Sequence, residues 1–275
     1  YRKSIITAFK EAGFQTAFFS NQRYNHSFID FFGMEADTYD FIKEDSQDSQ
    51  YNPSDDELLM LVEKELEKGN RKQFIVLHTY GSHFNYRERY PETAAFFLPD
   101  FPVDAEVKYK DNLMNAYDNS IRYTDNFLAR IIHLLKQQQV DASMLYTSDH
   151  GEDIFDDGRH LFLHASPVPS YYQLHVPLLL WTSDSYREEY PGIEKAASMN
   201  RQKNISSSIS FFQTMMELAG IETPYRNDSL SVTSPLYTEK SRVYLNDHNE
   251  PHSLDDIGMR KEDFEMLKKR GIDAQ

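Results

Sequence analysis

Apolar and polar positions alternate along this chain with two different periods, and the period switches repeatedly. From Ser4 to Ala12 the apolar residues recur at helical spacing, and Gly13 stands where a left-handed C-terminal stop is expected. Phe14 to Ser20, "FQTAFFS", reads as a strand rich in aromatics. Ser54-Asp-Asp-Glu57 has the form of a capping box, opening the helix "LLMLVEKELEKG" that Gly69 closes. "QFIVLHTYG", Gln73 to Gly81, is a nearly continuous apolar run, the signature of a strand buried on both faces. An irregular stretch from Ser82 to about Val103 follows, and then a long helical pattern from Ala105 to about Gln139, as one helix or two in sequence. "SMLYTS" is the next strand, Glu152 to about Leu174 is irregular again, and "VPLLLWTS" is a further buried strand. "ISSSISFFQTMMELAG" is an amphipathic helix with Gly220 at its end; a short strand "RVYLND" and a charged helix complete the pattern.

Strand and helix in alternation imply βαβ units. The expected fold is therefore α/β, a mostly parallel central sheet with helices on both faces, in one domain spanning residues 1–275. No internal repeat or low-complexity linker interrupts it. In open α/β sheets ligands bind beyond the carboxyl ends of strands, and long loops in compact domains are usually functional. The two long irregular stretches each follow a central strand, and both carry histidines, so both are expected at one edge of the sheet.

Composition narrows the function classes. The chain has 275 residues, with 29 Lys plus Arg against 44 Asp plus Glu, a formal net charge of −15. A general nucleic-acid binder needs clustered cations, so that class is excluded. The acidic balance fits a cation-binding protein, although a solvated acidic surface is the commoner cause. With no cysteine, disulfides, zinc–thiolate sites and a cysteine nucleophile are ruled out. No run approaches the ~20 apolar residues of a membrane span. The chain opens inside a helical pattern without an initiating Met, and is expected to be a fragment of a longer protein.

Four stretches offer chemistry. In "MLYTSDHGED" a buried strand ends at Asp149 and His150, followed by Gly151 and Glu152. A carboxylate and an imidazole together suit zinc, manganese or iron better than calcium, and the glycine is expected to let the backbone turn so that both reach one ion. In "HTYGSHF", His78 lies within the apolar run and reads as a buried, hydrogen-bonded histidine, whereas His83, past the strand end, is placed to reach a site. In "GRHLFLHASP", His160 and His164 have the spacing of a zinc-protease helix, but the glutamate of HExxH is missing and Gly158 and the prolines indicate a loop, so one of the two histidines is expected to face the site. In "NAYDNSIRYTDN", Asp118 and Asp125 share a helix face, and the polar residues there read as solvated or as caps on a neighbouring loop. His26, His133, His175, His248 and His252 have no supporting pattern. GxxxxGK[ST], GxGxxG and GxSxG are all absent.

Taken in order, "HTYGSHFNYRERYP", "NAYDNSIRYTDNFLARII", "LYTSDHGED", "LFLHASP" and "VPLLLW" resemble the phosphoethanolamine transferases that modify lipid A, members of the sulfatase and alkaline phosphatase superfamily. The likeness runs from about Ser4 to Ala219. It implies an alkaline-phosphatase-like fold and a Zn2+ cofactor, with Asp149 and His150 as metal ligands. It gives His83 and His164 catalytic roles, as a pair that binds substrate or a second zinc. Glu152 falls at the glutamate after the family's glycine and receives no role. The family's glutamate ligand and threonine nucleophile lie before the part matched here, so the chain alone is expected not to perform transfer. The family often has "GSHGP" where this chain has "GSHFN", and "LHG" where it has "LHA". The implied partners are a phosphatidylethanolamine-type donor and a lipid A or glycan acceptor. The full-length protein would be membrane-anchored, with this domain on the periplasmic face of the bacterial inner membrane. The competing readings are a sulfatase or phosphodiesterase of the same superfamily, a lipoteichoic-acid synthase, and a non-catalytic binding module of the same fold.

Overall fold

The computed structural model describes residues 4–24, 28–43, 52–69, 72–164, 168–245 and 250–272. Within "FLHASP" the last three residues fall outside this set, as do His26 and His248. The chain divides into two compact units, residues 1–139 and 140–275.

The first unit contains α1 (Ile5–Glu11), β1 (Gln15–Ser20), α2 (Phe28–Gly33), β2 (Thr38–Phe41), α3 (Glu57–Glu67), β3 (Gln73–His78) and α4 (Lys110–Gln137). Its sheet is wholly parallel, in the order β2-β1-β3. As the central strand, β1 is covered on both faces: Ala17, Phe18 and Phe19 are buried, and so are Thr16 and Ser20. The buried hydroxyls are satisfied. Thr16 Oγ1 donates to Asp37 Oδ2 at 2.9 Å, and Ser20 Oγ lies 3.0 Å from His78 Nδ1. His78 is thus hydrogen-bonded, as the apolar run implied, but half-buried rather than buried.

Local chemistry starts and stops the helices much as the pattern suggests. Ser4 Oγ accepts from Ile6 N at 3.1 Å, capping α1, and Gly13 ends it at a φ of +84°. On α1, Phe9 stacks on Phe74 of β3, ring centroids 3.7 Å apart. The capping box at Ser54 does not form: α3 begins at Glu57, and its N-cap Asp56 makes no side-chain cap bond. Asp55 is drawn elsewhere. Its carboxylate accepts from the backbone N–H groups of Tyr80 and Gly81, each at 2.9 Å, and from Asn21 Nδ2 at 2.7 Å. Three donors converging on a buried carboxylate outweigh one helix cap.

The stretch after β3 is irregular, as expected, and its order comes from α4. Asn119 Oδ1 accepts from the N–H groups of Phe96 and Phe97 at 2.9 Å each, and its Nδ2 donates to Phe97 O at 3.0 Å. The helix itself begins at Lys110, later than the pattern suggested, because a 3-10 turn at Val107–Tyr109 precedes it.

The second unit contains β4 (Ser143–Thr147), β5 (Asp153–Ile154), β6 (Phe162–Leu163), α5 (Tyr171–Leu174), β7 (Leu178–Thr182), α6 (Asp184–Glu189), α7 (Pro191–Asn200), α8 (Ser207–Leu218), β8 (Val243–Leu245), β9 (Pro251–Ser253) and α9 (Lys261–Lys269). Here β7 pairs with β4 antiparallel, Leu145 opposite Leu180. A parallel crossover usually carries a full helix, and among the described residues the only helix between these strands is the four-residue α5. Leu254, Met259 and Leu267 pack with Tyr171 into one cluster, which fixes α9 against α5. Among the described residues no helix is long and apolar enough to cross a membrane.

Candidate metal centre

The site grows from the end of β4. Ser148 Oγ donates to His150 O at 2.7 Å, bending the chain as it leaves the strand. Gly151 then passes against α5: its N–H donates to Gln173 O at 2.8 Å, and a Cβ built on it would lie 2.1 Å from Tyr172 O. Its φ is outside the left-handed region. The glycine is required here by the close approach of another backbone, and not, as the sequence suggested, by a turn that only glycine can make.

Past Gly151 the chain forms β5, pairs with β6, and returns. Asp153 lies opposite Leu163 and Ile154 opposite Phe162, with Phe155 N donating to Leu161 O at 2.9 Å. Extending the ladder by one step puts Glu152 opposite His164. Their side chains meet: His164 Nδ1 is 3.0 Å from Glu152 Oε1. The His150 and His164 rings stack with centroids 3.7 Å apart, and His150 Nδ1 is 3.8 Å from the same glutamate oxygen. The ligand-type atoms of His150, Glu152 and His164 all lie within 4.8 Å of one another.

Glu152 is the buried member, its side chain 4% exposed, while His150 and His164 are half-buried. A carboxylate in that position needs compensating donors or a cation. The 3.0 Å contact engages the His164 ring at Nδ1 and leaves Nε2 as its other ligand-type atom. Two imidazoles and a carboxylate make a donor set suited to zinc-like cations. Donor atoms sharing one zinc stand within about 4 Å of each other, so the cluster is near the required size.

The remaining expected residues are placed differently. Asp149 has its side chain 83% exposed, with Oδ1 accepting from His150 N at 3.0 Å and Oδ2 3.6 Å from His150 Nε2. His83 belongs to the first unit, where its Nδ1 lies 2.6 Å from Phe84 O and its ring meets Tyr80 edge-on. Of the loop pair, His164 joins the cluster and His160 is exposed. Asp118 and Asp125 are exposed; it is Asn119, between them, that organises the neighbouring loop. Glu152, given no role from the sequence, turns out to be the hub. A hairpin signal was present, Asp157-Gly158 between the short apolar runs "IF" and "LFL", but a two-residue turn there would set Glu152 opposite Leu163; the observed register is shifted by one and brings His164 to Glu152.

Comparison with known proteins fits this geometry. The sulfatase family pattern matches residues 1–221. The chain belongs to the sulfatase family. Within it, the phosphoethanolamine transferase EptA of Escherichia coli K12 is 36% identical over 157 residues, covering 55% of this chain and 28% of the relative. The Kdo(2)-lipid A phosphoethanolamine 7''-transferase of the same organism is 32% identical over 178 residues, 62% of this chain and 31% of the relative. This sulfatase-family chain thus spans under a third of the length of these two relatives. Among solved structures, the C-terminal periplasmic domain of EptC from Escherichia coli, in complex with Zn, superposes with a TM-score of 0.76 at 23% identity, covering 94% of this chain and 73% of that one. The shared fold is the alkaline-phosphatase and sulfatase architecture.

Proposed function

We propose that this chain is the metal-binding part of a phosphoethanolamine transferase. It would take the group from a phosphatidylethanolamine-type lipid and pass it to lipid A or a related glycan, at the periplasmic face of a bacterial inner membrane. The observation that carries this reading is the convergence of His150, Glu152 and His164 in a sulfatase-family chain whose curated relatives are phosphoethanolamine transferases.

The residues that would hold zinc are His150, Glu152 and His164, with Asp149 added by its place beside His150. When bound, the ion supplies positive charge that activates a coordinated hydroxyl and neutralises the phosphoryl oxygens. Glu152 holds the His164 ring through Nδ1, leaving Nε2 as the nitrogen that would face the ion. His83 is the further substrate-handling histidine in this reading. The nucleophilic hydroxyl, forming a phospho-enzyme, would come from a segment before residue 1. Burial of Glu152 keeps water from competing for its oxygens.

Calorimetric zinc titration of the chain tests the metal, and mass spectrometry of lipids from cells with and without the parent gene tests the transfer. Stoichiometric zinc binding lost in His150→Ala, with gene-dependent phosphoethanolamine on lipid A or a glycan, is the expected result. Gene-dependent glycerol-phosphate polymer or sulfate release would replace the reading with another member of the superfamily.

A further inference from the structure

The hairpin that brings His164 to Glu152 has only two residue pairs, too little to hold itself in place. Its tip is held by Arg159. The guanidinium grips Asp157, with Nε 2.9 Å from Oδ1, and reaches across to Asp263 on α9: Nη1 to Oδ2 at 2.7 Å and Nη2 to Oδ1 at 2.8 Å. Arg159 is 10% and Asp263 1% exposed at the side chain. A forked, desolvated pair of this kind combines charge with fixed geometry.

Asp263 does more than close that pair. Its Oδ1 also accepts from Tyr171 N at 2.9 Å, at the start of α5, and its Oδ2 from Arg260 N at 3.2 Å. From α5 and its N-cap, Ser170 Oγ donates to Asp153 Oδ1 at 2.7 Å and Gln173 Nε2 to Asp153 Oδ2 at 2.5 Å, while Gln173 O receives Gly151 N. One carboxylate therefore holds both sides of the cluster: the hairpin tip leading to His164, and the platform flanking His150 and Glu152. It lies outside residues 1–221, the part matched by the sulfatase pattern.

The geometry points to Asp263, through Arg159, as a positioning residue that sets the His150–Glu152–His164 cluster for metal. The C-terminal helix is thereby part of the working site. This rests on the zinc reading for its affinity readout, but the placement of His164 against Glu152 is measurable without metal.

The test compares the wild-type chain with Asp263→Asn, Arg159→Lys and an exposed control on the same helix, Glu265→Gln. Two quantities are read: zinc affinity by calorimetry, and the ring-nitrogen NMR signals of His164 in the metal-free chain. Loss of an outer partner of a metal ligand typically costs about 10- to 100-fold in affinity. That loss is expected for Asp263→Asn and Arg159→Lys, together with a change in the wild-type ring-nitrogen signals of His164, while Glu265→Gln matches wild type. If Asp263→Asn does not fold, Arg159→Lys decides, because it keeps the charge and loses only the fork. Variants with zinc affinity within twofold of wild type and unchanged His164 signals overturn the inference, whatever their melting temperature. If the wild type itself binds no zinc, the metal reading fails, and the His164 signals alone decide the positioning.

Discussion

His164 and Glu152 face each other one step beyond a two-pair β-ladder, and their side chains meet at 3.0 Å between Nδ1 and Oε1. The contact joins the most buried carboxylate of the candidate centre to a ring that is otherwise part of an irregular stretch. What the chain does with metal depends on this pairing.

Glu152→Gln removes the negative charge and leaves an amide against two imidazoles. Zinc affinity is expected to fall by at least about tenfold, with the fold intact by circular dichroism. In the wild type, zinc at about 100 times its Kd is expected to add roughly 2.7 kcal/mol of stability, and chelation to remove it. Thermal melts with and without chelator check both: a shift in the wild type and little in Glu152→Gln.

Gly151→Ala places a methyl where Tyr172 O already stands, 2.1 Å from the new Cβ. The obstacle is backbone, which cannot rotate away. Destabilisation of at least about 2 kcal/mol is expected from forced overpacking, read by urea denaturation, and the His150 and His164 rings should lose their stacked arrangement.

Asn119→Ala removes the buried amide that satisfies Phe96 N, Phe97 N and Phe97 O. The same amide supports Tyr90, whose hydroxyl is pushed up to about 12 by burial and by its bond to Asp100. Orphaned buried groups make a cost of about 2–4 kcal/mol the expected outcome. Limited proteolysis should then cut between Ala95 and Pro102 in the variant and spare the wild type.

Asp157 is held below the ordinary carboxylate value of 3.8, chiefly by its hydrogen bond to Arg159. A carboxyl whose folded value is lowered binds fewer protons when folded, so it contributes stability above the unfolded value and loses it as pH falls through the folded one. The wild type is therefore expected to exceed Asp157→Asn in stability at neutral pH, with the gap closing only below about pH 4. Denaturation midpoints of both proteins between pH 3 and pH 7 measure it; a gap that widens on acidification would contradict the pairing.

The sequence by itself determined the elements and most of the chemistry. Periodicity located β1, β3, β4, β7 and the helices α3, α4 and α8, because a buried strand and an amphipathic helix each impose their own spacing on apolar residues. Residue type and position marked Asp149, His150 and His83 as ligand-type residues after strands, while His160 and His164 were a loop pair from which only the family resemblance chose His164. Three things were decided only by tertiary structure. The antiparallel pairing of β7 with β4 depends on how short the intervening elements are. The role of Gly151 depends on a carbonyl 21 positions later in the chain, at Tyr172. The centrality of Glu152 depends on the register of β5 with β6, and the hold on that register depends on Asp263. Spacing along a chain reports which face a residue shares with its near neighbours. Which distant backbone or carboxylate arrives at that face is set by packing, and has no period to read.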